Sequence, residues 1–160
     1  MNWKFTVLYV AAIVAVNYGF TVIPPVILPG GVVWPPVALL VGLVFVLRDF
    51  AQREAGHYVI AAMLLGALLS YVMAGPEVAL ASTAAFLASE FADWAVYSFT
   101  GRTLSQRVLW SSAVSTPLDS AVFLWGIGLF SLPVLAAMTA SKMVGALIVW
   151  WLLRRREALA

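Results

Sequence analysis

Four ionisable side chains lie deep inside long apolar stretches of this 160-residue sequence, namely Glu90, Asp93, Asp119 and Lys142. A charged side chain at the centre of a membrane helix costs about 2.5–3.5 kcal/mol on insertion scales, so such residues usually face one another or a polar cavity. At a rise of about 1.5 Å per residue, Glu90, Asp119 and Lys142 fall at similar depths in their stretches. We therefore expect them to meet in one polar site near the bilayer midplane.

The spacing of polar and aromatic residues predicts two walls of that site. Around Glu90, a phenylalanine, two carboxylates and a phenol recur three or four residues apart, which places them on one face of a helix. The stretch around Asp119 repeats this pattern with serines and a phenylalanine. Aromatic walls with a few polar groups are typical of a small-molecule site. The predicted substrate-binding residues are Asn17, Phe45, Glu90, Asp93, Tyr97, Ser115, Asp119, Phe123 and Lys142.

A purely structural interpretation of these charges is a buried ion pair, in which Lys142 holds one carboxylate and locks the helices together. That interpretation leaves two of the three acids without a positive partner, which is expensive at low dielectric. We therefore favour a functional site. We also expect Glu90 or Asp93 to hold a proton in the empty protein.

The residue inventory removes several kinds of chemistry. The sequence has no cysteine and a single histidine, His57, so it offers no disulfide, thiolate metal site or histidine-based triad. We predict neither a metal nor a cofactor. No Gly-x-x-x-x-Gly-Lys-Ser/Thr phosphate loop occurs, so the chain carries no ATP-binding motif of that type. An intramembrane enzyme that uses Glu90 and Asp93 as an acid–base pair is an alternative, but the sequence lacks a matching nucleophile, and we predict no enzymatic activity.

The composition predicts the elements that position these residues. The chain is 64% hydrophobic and 10% charged, with a mean hydropathy of +1.01, whereas soluble domains are about 45–50% apolar and about 25% charged. A soluble fold is excluded, and the apolar runs are long enough to cross a bilayer as helices. We predict an all-α polytopic membrane protein that forms one domain over residues 1–160. Its six transmembrane helices are expected at about 3–23, 32–48, 57–74, 78–99, 108–130 and 132–153.

The basic residues predict the orientation of these helices. All of the nine Lys and Arg residues except Lys142 precede the first run, follow the last run or fall in alternate loops, where Arg48 and Arg53 are placed between runs two and three. The positive-inside rule makes that side cytoplasmic. We expect both termini in the cytoplasm and the protein in the cell (inner or plasma) membrane. The net charge of +2 reflects this asymmetry, and we infer no nucleic-acid partner from it.

Three short motifs have a characteristic order of residues. The second run ends in Asp49-x-x-x-Arg53-x-x-Gly56, the fourth contains Ser89-Glu90-Phe91-Ala92-Asp93 followed by Val96-Tyr97, and the fifth contains Ser115-Thr116-Pro117-Leu118-Asp119-Ser120 followed by Phe123. These motifs resemble the Asp-x-x-x-Arg-x-x-Gly, Gln-x-x-Asp-x-x-Val-aromatic and Asp-Thr/Ser-x-x-x-Phe elements of the vitamin uptake transporter (VUT) family, which is better known as the queuosine-precursor transporters.

The resemblance extends over all six runs, because Asn17-Tyr18 in the first and Lys142 in the last also have counterparts in the family. One departure is Glu90, which stands where the family commonly has Gln, and another is the short chain with minimal loops. We predict a gating or cytoplasmic motif at Asp49, Arg53 and Gly56, and the alternative is a solvated charge cluster of Asp49, Arg53 and Glu54 at the cytoplasmic interface.

The resemblance implies import of a 7-deazaguanine, such as the 7-cyano or 7-aminomethyl compound, or of queuine. The predicted pocket fits this chemistry, because a carboxylate can accept the exocyclic amine and ring N–H as a bidentate pair. A lysine can donate to the ring carbonyl, and aromatic rings can stack on the bicycle. An alternative is a substrate-binding subunit that a separate complex energises, docked through Ala11-x-x-x-Ala15. The expected partners are a deazapurine-like small molecule and the lipid bilayer, and a homodimer is left open.

Overall fold

Helices form most of the chain, as the long apolar runs predict. The computed structural model describes residues 3–159, and the predicted all-α class is confirmed. The elements in chain order are α1 Lys4–Val22, β1 Val26–Leu28, β2 Val32–Trp34, α2 Ala38–Ala55, a 3₁₀ turn at Gly56–Tyr58, α3 Val59–Met73, α4 Ala79–Phe99, α5 Leu104–Gly126 and α6 Leu132–Glu157.

A short β-hairpin takes the place of the predicted start of the second helix. The strands β1 and β2 pair antiparallel, with Val26 opposite Trp34 and Leu28 opposite Val32. Pro29, Gly30 and Gly31 connect them, and the φ of +86° at Gly30 suits the third position of a type II turn. The prediction that residues 32–34 are helical was therefore wrong. The indole Nε1 of Trp34 donates to Ser141 Oγ at 2.7 Å, which fastens the hairpin to α6.

The second helix also continues further than the sequence interpretation allowed. The predicted run ended at residue 48, whereas α2 extends to Ala55 and stops at Gly56, whose φ of +60° is left-handed. Glycine adopts this conformation without a steric penalty, which is why it often follows the last residue of a helix. Arg48 therefore lies inside α2 and is fully buried. Its predicted place in a loop between the second and third helices was wrong.

Two glutamates connect neighbouring helix ends. The Glu54 carboxylate at the end of α2 accepts hydrogen bonds from the first three backbone N–H groups of α1 at 2.9–3.2 Å. Likewise, Glu157 at the end of α6 accepts from the N–H and hydroxyl of Ser105 at 3.1 and 2.6 Å, at the start of α5. Such caps satisfy the donors that a helix start leaves free and match its positive dipole end. The starts of α1 and α5 therefore lie beside the ends of α2 and α6.

We call the end of the helical bundle that holds the starts of α1 and α5 and the ends of α2 and α6 the basic end. It carries most of the cationic side chains, namely Lys4, Arg53, Arg102, Arg107, Arg154, Arg155 and Arg156. The connections at the other end, which we call the opposite end, contain no Lys or Arg. The remaining two basic residues, Arg48 and Lys142, are buried within helices.

Small residues let the helix backbones approach closely near the centre of the bundle. A β-carbon on Gly42 of α2 would collide with the backbone carbonyl of Lys142 in α6. At Gly66 of α3, a β-carbon would lie 2.6 Å from the Ile13 side chain and 2.9 Å from the Phe86 ring. Small side chains commonly permit such contacts between membrane helices. The Gly66-x-x-x-Ser70 spacing thus packs inside the bundle, whereas Ala11 and Ala15 face outward.

The surface of the bundle is apolar and part of its interior is polar. Phe99, Trp125 and Leu80 are 75–79% exposed, whereas Arg48 and Glu90 are completely buried. This distribution suits a protein surrounded by lipid hydrocarbon, because burying an apolar side chain there gains no free energy from the hydrophobic effect. Three helical stretches are long and apolar enough to cross a membrane: Lys4–Val22, Ala38–Met73, which contains both α2 and α3, and Leu132–Glu157. The protein is a membrane protein, while the six spans and the cytoplasmic termini stay predictions.

Candidate functional site

An internal cavity of about 280 Å³ lies among the six helices. Each helix contributes to its wall, which is mostly apolar. Phe86 of α4 and Phe123 of α5 supply aromatic rings. The polar part of the lining consists of Asn17, Thr21, Ser70, Ser82, Asp119 and Lys142.

The cavity opens toward the opposite end of the bundle. Its outermost lining includes Phe20 and Thr21 near the end of α1, and Gly75 and Val78 in the connection between α3 and α4. Phe20, Thr21 and Gly75 are exposed. A small solute can therefore reach the cavity from the end that has no basic residues in its connections.

A lysine and an aspartate of the cavity wall contact each other directly. Lys142 Nζ lies 2.5 Å from Asp119 Oδ2 and donates to Ser120 Oγ at 2.8 Å. The other carboxylate oxygen of Asp119 accepts from Ser89 Oγ at 3.2 Å. An ammonium group has three donors, and a carboxylate has about four lone-pair positions. Lys142 and Asp119 thus keep hydrogen-bonding capacity for a ligand in the cavity.

Asn17 of α1 supplies a side-chain amide to the same wall. Its Nδ2 donates to the backbone carbonyl of Ile13 at 2.9 Å and to Ser70 Oγ at 3.1 Å. These two bonds orient the amide between α1 and α3. The carbonyl oxygen Oδ1 has no hydrogen bond within residues 3–159 and is available as an acceptor.

A second polar group, which we call the Arg48 cluster, lies between the cavity and the basic end. The Arg48 guanidinium contacts three carboxylates. Its Nη2 lies 2.7 Å from Asp49 Oδ1, its Nε donates to Asp93 Oδ2 at 2.9 Å, and the same Nε lies 3.8 Å from Glu90 Oε2. All four side chains are fully buried. Three acids around one base leave two excess negative charges when every acid is ionised.

Hydrogen bonds extend the Arg48 cluster over four helices. Tyr9 of α1 donates its hydroxyl to Glu90 Oε2 at 2.8 Å, and Ser111 of α5 donates to Asp49 Oδ2 at 2.9 Å. Within α2, Arg48 also donates to the side-chain carbonyl of Gln52. The cluster therefore connects α1, α2, α4 and α5, and its polar contacts close the bundle between the cavity and the basic end.

Three of the predicted substrate-binding residues lie in the Arg48 cluster or beside it rather than in the cavity wall. Glu90 and Asp93 are members of the cluster, and the Arg48 and Arg107 guanidinium carbons lie 5.7 and 5.3 Å from the centre of the Tyr97 ring. Phe45 and Ser115 are buried in α2 and α5, outside the cavity lining. The remaining predicted residues line the cavity: Asn17, Asp119, Phe123 and Lys142.

The predicted gating motif is distributed over two environments. Asp49 is buried against Arg48. In contrast, Arg53 is exposed one turn further along α2. Gly56 ends the helix, and a β-carbon there would meet no other atom within 4 Å. The buried arginine of this region is therefore Arg48, which lies just before the motif.

Sequence reasoning missed Tyr9, Arg48, Gln52 and Ser111 as members of a polar site. Arg48 was assigned to a loop because it follows an apolar run directly. Gly56 was the signal that could have corrected this, because a helix that continues to Gly56 places Arg48 about two turns before the helix end. Tyr9 carries no such signal, since a tyrosine near the start of a membrane helix usually belongs to the interface.

The arrangement combines a small cavity with hydrogen-bond donors and hydrogen-bond acceptors. Within residues 3–159, no group of three or more His, Asp or Glu side chains is placed to hold a metal ion. The cavity offers carboxylate and amide acceptors, an ammonium donor and aromatic faces. These groups can orient a flat, polar heterocycle.

The fold and the site together define a helical membrane protein with a small-molecule cavity inside the bundle. The chain belongs to the vitamin uptake transporter family, because the family model described as "Putative vitamin uptake transporter" matches residues 4–154. The family resemblance of the sequence motifs is thereby confirmed. No curated protein and no solved structure matches the chain.

Proposed function

We propose that this protein imports a queuosine precursor or a similar 7-deazaguanine or purine-like base through the cavity. Family membership supports transport of a small molecule across a membrane. The observation that carries the choice of substrate is the polar lining of the cavity, where Asp119, Lys142 and Asn17 meet aromatic side chains.

The chemistry of the lining suits the pyrimidine edge of such a base. A 2-amino-4-oxo edge presents an amine and a ring N–H, which the free acceptor positions of Asp119 and the Asn17 carbonyl can bind. Charge-assisted hydrogen bonds to a carboxylate are stronger than neutral ones. The third N–H of Lys142 can donate to the ring carbonyl, and Phe86 or Phe123 can stack on the bicycle.

The size of the cavity favours a small cargo. A volume of about 280 Å³ lies just below the range of about 300–1,000 Å³ that is common for ligand sites. A cavity of this size suits a bicyclic base better than a vitamin built from several linked ring systems.

Transport requires that the cavity is accessible alternately from the two sides of the membrane. In the proposed orientation, with the basic end in the cytoplasm, the cavity faces outward and the Arg48 cluster closes the inner side. The base enters from outside, and rearrangement of the cluster then opens the path to the cytoplasm.

Ligand binding to the purified protein tests this proposal. Ligands that bind only the folded state raise its thermal stability by mass action. We expect 7-cyano-7-deazaguanine, 7-aminomethyl-7-deazaguanine or guanine to raise the melting temperature, and riboflavin, biotin and thiamine to leave it unchanged. Stabilisation by one of those vitamins alone would contradict the deazapurine assignment.

An alternative function is that of a substrate-binding subunit energised by a separate complex. The observation that favours it is the outward-facing pair Ala11 and Ala15, which places two small side chains one turn apart on the exposed side of α1. Reconstituted protein would then bind the base but fail to move it without an ATPase module. Uptake by proteoliposomes that contain this chain alone would exclude this alternative.

A further inference from the structure

The Arg48 cluster has a charge imbalance that the cavity does not share. In the cavity wall, Lys142 and Asp119 form a neutral pair. In the cluster, Asp49, Glu90 and Asp93 surround one guanidinium, and all are 0% exposed. Charges that stay unpaired in an apolar interior are costly, and a carboxyl in that position becomes neutral by taking up a proton.

Glu90 has the weakest stabilisation as an anion among the three acids. Asp93 accepts a hydrogen bond from Arg48 at 2.9 Å, and Asp49 combines a 2.7 Å contact to Arg48 with a bond from Ser111. Glu90 lies 3.8 Å from the guanidinium and accepts one hydrogen bond, from the Tyr9 hydroxyl. Its other oxygen, Oε1, is buried without a hydrogen-bond partner in the part of the chain that the structure describes, as is one oxygen of each of the two aspartates, so the longer distance to the guanidinium is what sets Glu90 apart.

Glu90 is also the acid of the cluster that is nearest to the cavity along α4. Phe86, which lines the cavity, lies one helical turn before it. Its direct neighbour Ser89 donates to Asp119 in the cavity wall. A proton on Glu90 is therefore placed between the substrate cavity and the basic end.

The charged and titratable groups around Glu90 come from the surrounding helices. Tyr9 of α1 contacts it, Arg48 and Asp49 lie on α2, and Asp93 follows on α4 one turn closer to the basic end. On α5 and α6, Asp119 and Lys142 form an ion pair, and Asp119 accepts a hydrogen bond from Ser89, the residue next to Glu90. In α3 the only titratable side chain is Tyr71, which is 49% exposed.

We infer that Glu90 is a proton-binding site of this carrier and that the proton crosses the membrane together with the substrate. The inference rests on the proposed transport function. The Glu90 carboxylate is buried beside the cavity and outside its lining, so it takes up a proton when a movement of α4 admits water from the outward-facing cavity, and it releases the proton to the cytoplasm when the Arg48 cluster opens. A proton fits this site better than a metal cation, because the Arg48 guanidinium already occupies the position between the carboxylates and repels a second cation.

Infrared spectroscopy of the empty protein tests proton binding without any substrate. We expect the carbonyl stretch of a buried, protonated carboxylic acid at neutral pH, its loss in Glu90→Gln, and its retention in the control Glu77→Gln, which removes an exposed glutamate. Tyr9→Phe keeps the glutamate and should shift the band, because its hydrogen-bond partner is lost. Absence of the band in the wild type, or its survival in Glu90→Gln, would overturn the inference.

Transport in proteoliposomes tests coupling, with radiolabelled 7-cyano-7-deazaguanine as the probe. An inward proton gradient should drive accumulation by the wild type and by Glu77→Gln. Glu90→Gln should bind the neutral base within about tenfold of the wild type, with a flat pH profile, and should lose at least tenfold in gradient-driven accumulation. Accumulation driven by sodium instead, or undiminished in Glu90→Gln, would contradict the inference. The infrared band together with no uptake of the probe would contradict the substrate assignment alone.

Discussion

Gly42 of α2 lies directly against the backbone carbonyl of Lys142 in α6. A β-carbon at position 42 would lie 2.8 Å from that carbonyl carbon and still closer to its oxygen. The contact brings the two helix backbones together at the depth of the cavity, and it thereby fixes where the Lys142 side chain begins. The position of the Lys142 ammonium group in the cavity wall therefore depends on the absence of a side chain at Gly42 in α2.

Gly42→Ala should therefore destabilise the protein, although the same change in a free helix stabilises it by about 0.5–1 kcal/mol. Overpacking at a close contact costs about 1–3 kcal/mol, so a net loss of stability and weaker base binding are expected. Thermal unfolding in detergent measures the first effect. Leu40→Ala, on the exposed face of α2, serves as the control with a smaller effect. A rise in stability of Gly42→Ala would contradict the close contact.

Asp119→Asn and Lys142→Ala should each reduce uptake of 7-cyano-7-deazaguanine at least tenfold while membrane expression stays largely intact. Each change removes one charged group of the cavity wall. Because loss of one partner of a buried pair costs about 3–5 kcal/mol, a double variant is the matched control. Replacing the pair by Lys142→Met with Asp119→Leu should restore stability but not uptake. Normal uptake by the double variant would show that the pair is structural.

Arg48→Gln and Arg53→Gln remove two arginines of α2 that are five residues apart, and their effects on stability should differ strongly. Arg48 contacts three buried carboxylates, so its loss leaves them uncompensated and is expected to cost about 3–5 kcal/mol. Arg53 is exposed, and its replacement should change the free energy of unfolding by less than about 0.5 kcal/mol. Chemical unfolding in micelles provides the comparison. Equal losses for the two variants would place Arg48 outside the interior.

The orientation can be measured with single cysteines, because the natural sequence has none. Glu77→Cys marks the opposite end of the bundle and Arg102→Cys marks the basic end. With the basic end in the cytoplasm, a membrane-impermeant maleimide should label Glu77→Cys in intact cells and Arg102→Cys only after lysis. The reverse pattern would place the cavity mouth in the cytoplasm and would exclude import from an outward-facing empty state.

The pairing of Lys142 with Asp119 could be anticipated from the sequence, because apolar runs of known rise place both residues at one depth. Their contact at 2.5 Å agrees with that expectation, while their role in binding stays a prediction. The same arithmetic brought Glu90 to this depth but could not say which way it faces. Its hydrogen-bond partner is Tyr9, and the nearest positive charge is that of Arg48, which the sequence interpretation placed in a loop.

Some features depend on contacts that no local pattern contains. The hairpin at Val26–Trp34 is fastened by Trp34 to Ser141, more than one hundred residues away in sequence. Likewise, α2 ends just before Gly56, whose backbone conformation stops the helix, and not at Arg48, where the charged residues begin. The polarity of Arg48 and Asp49 suggested a loop, and only the neighbouring α4 carboxylate and α5 hydroxyl show how these side chains are satisfied inside the bundle.

Ser89 and Glu90 are consecutive residues of α4, yet one contacts the cavity pair and the other contacts the Arg48 cluster. A rotation or sliding of this helix cannot alter one set of contacts without altering the other. Thermodynamic linkage then requires symmetry between the two ligands. If the base and the proton bind as proposed, the factor by which a bound base changes the affinity for the proton equals the factor by which the proton changes the affinity for the base, and α4 is the helix that connects the two sites.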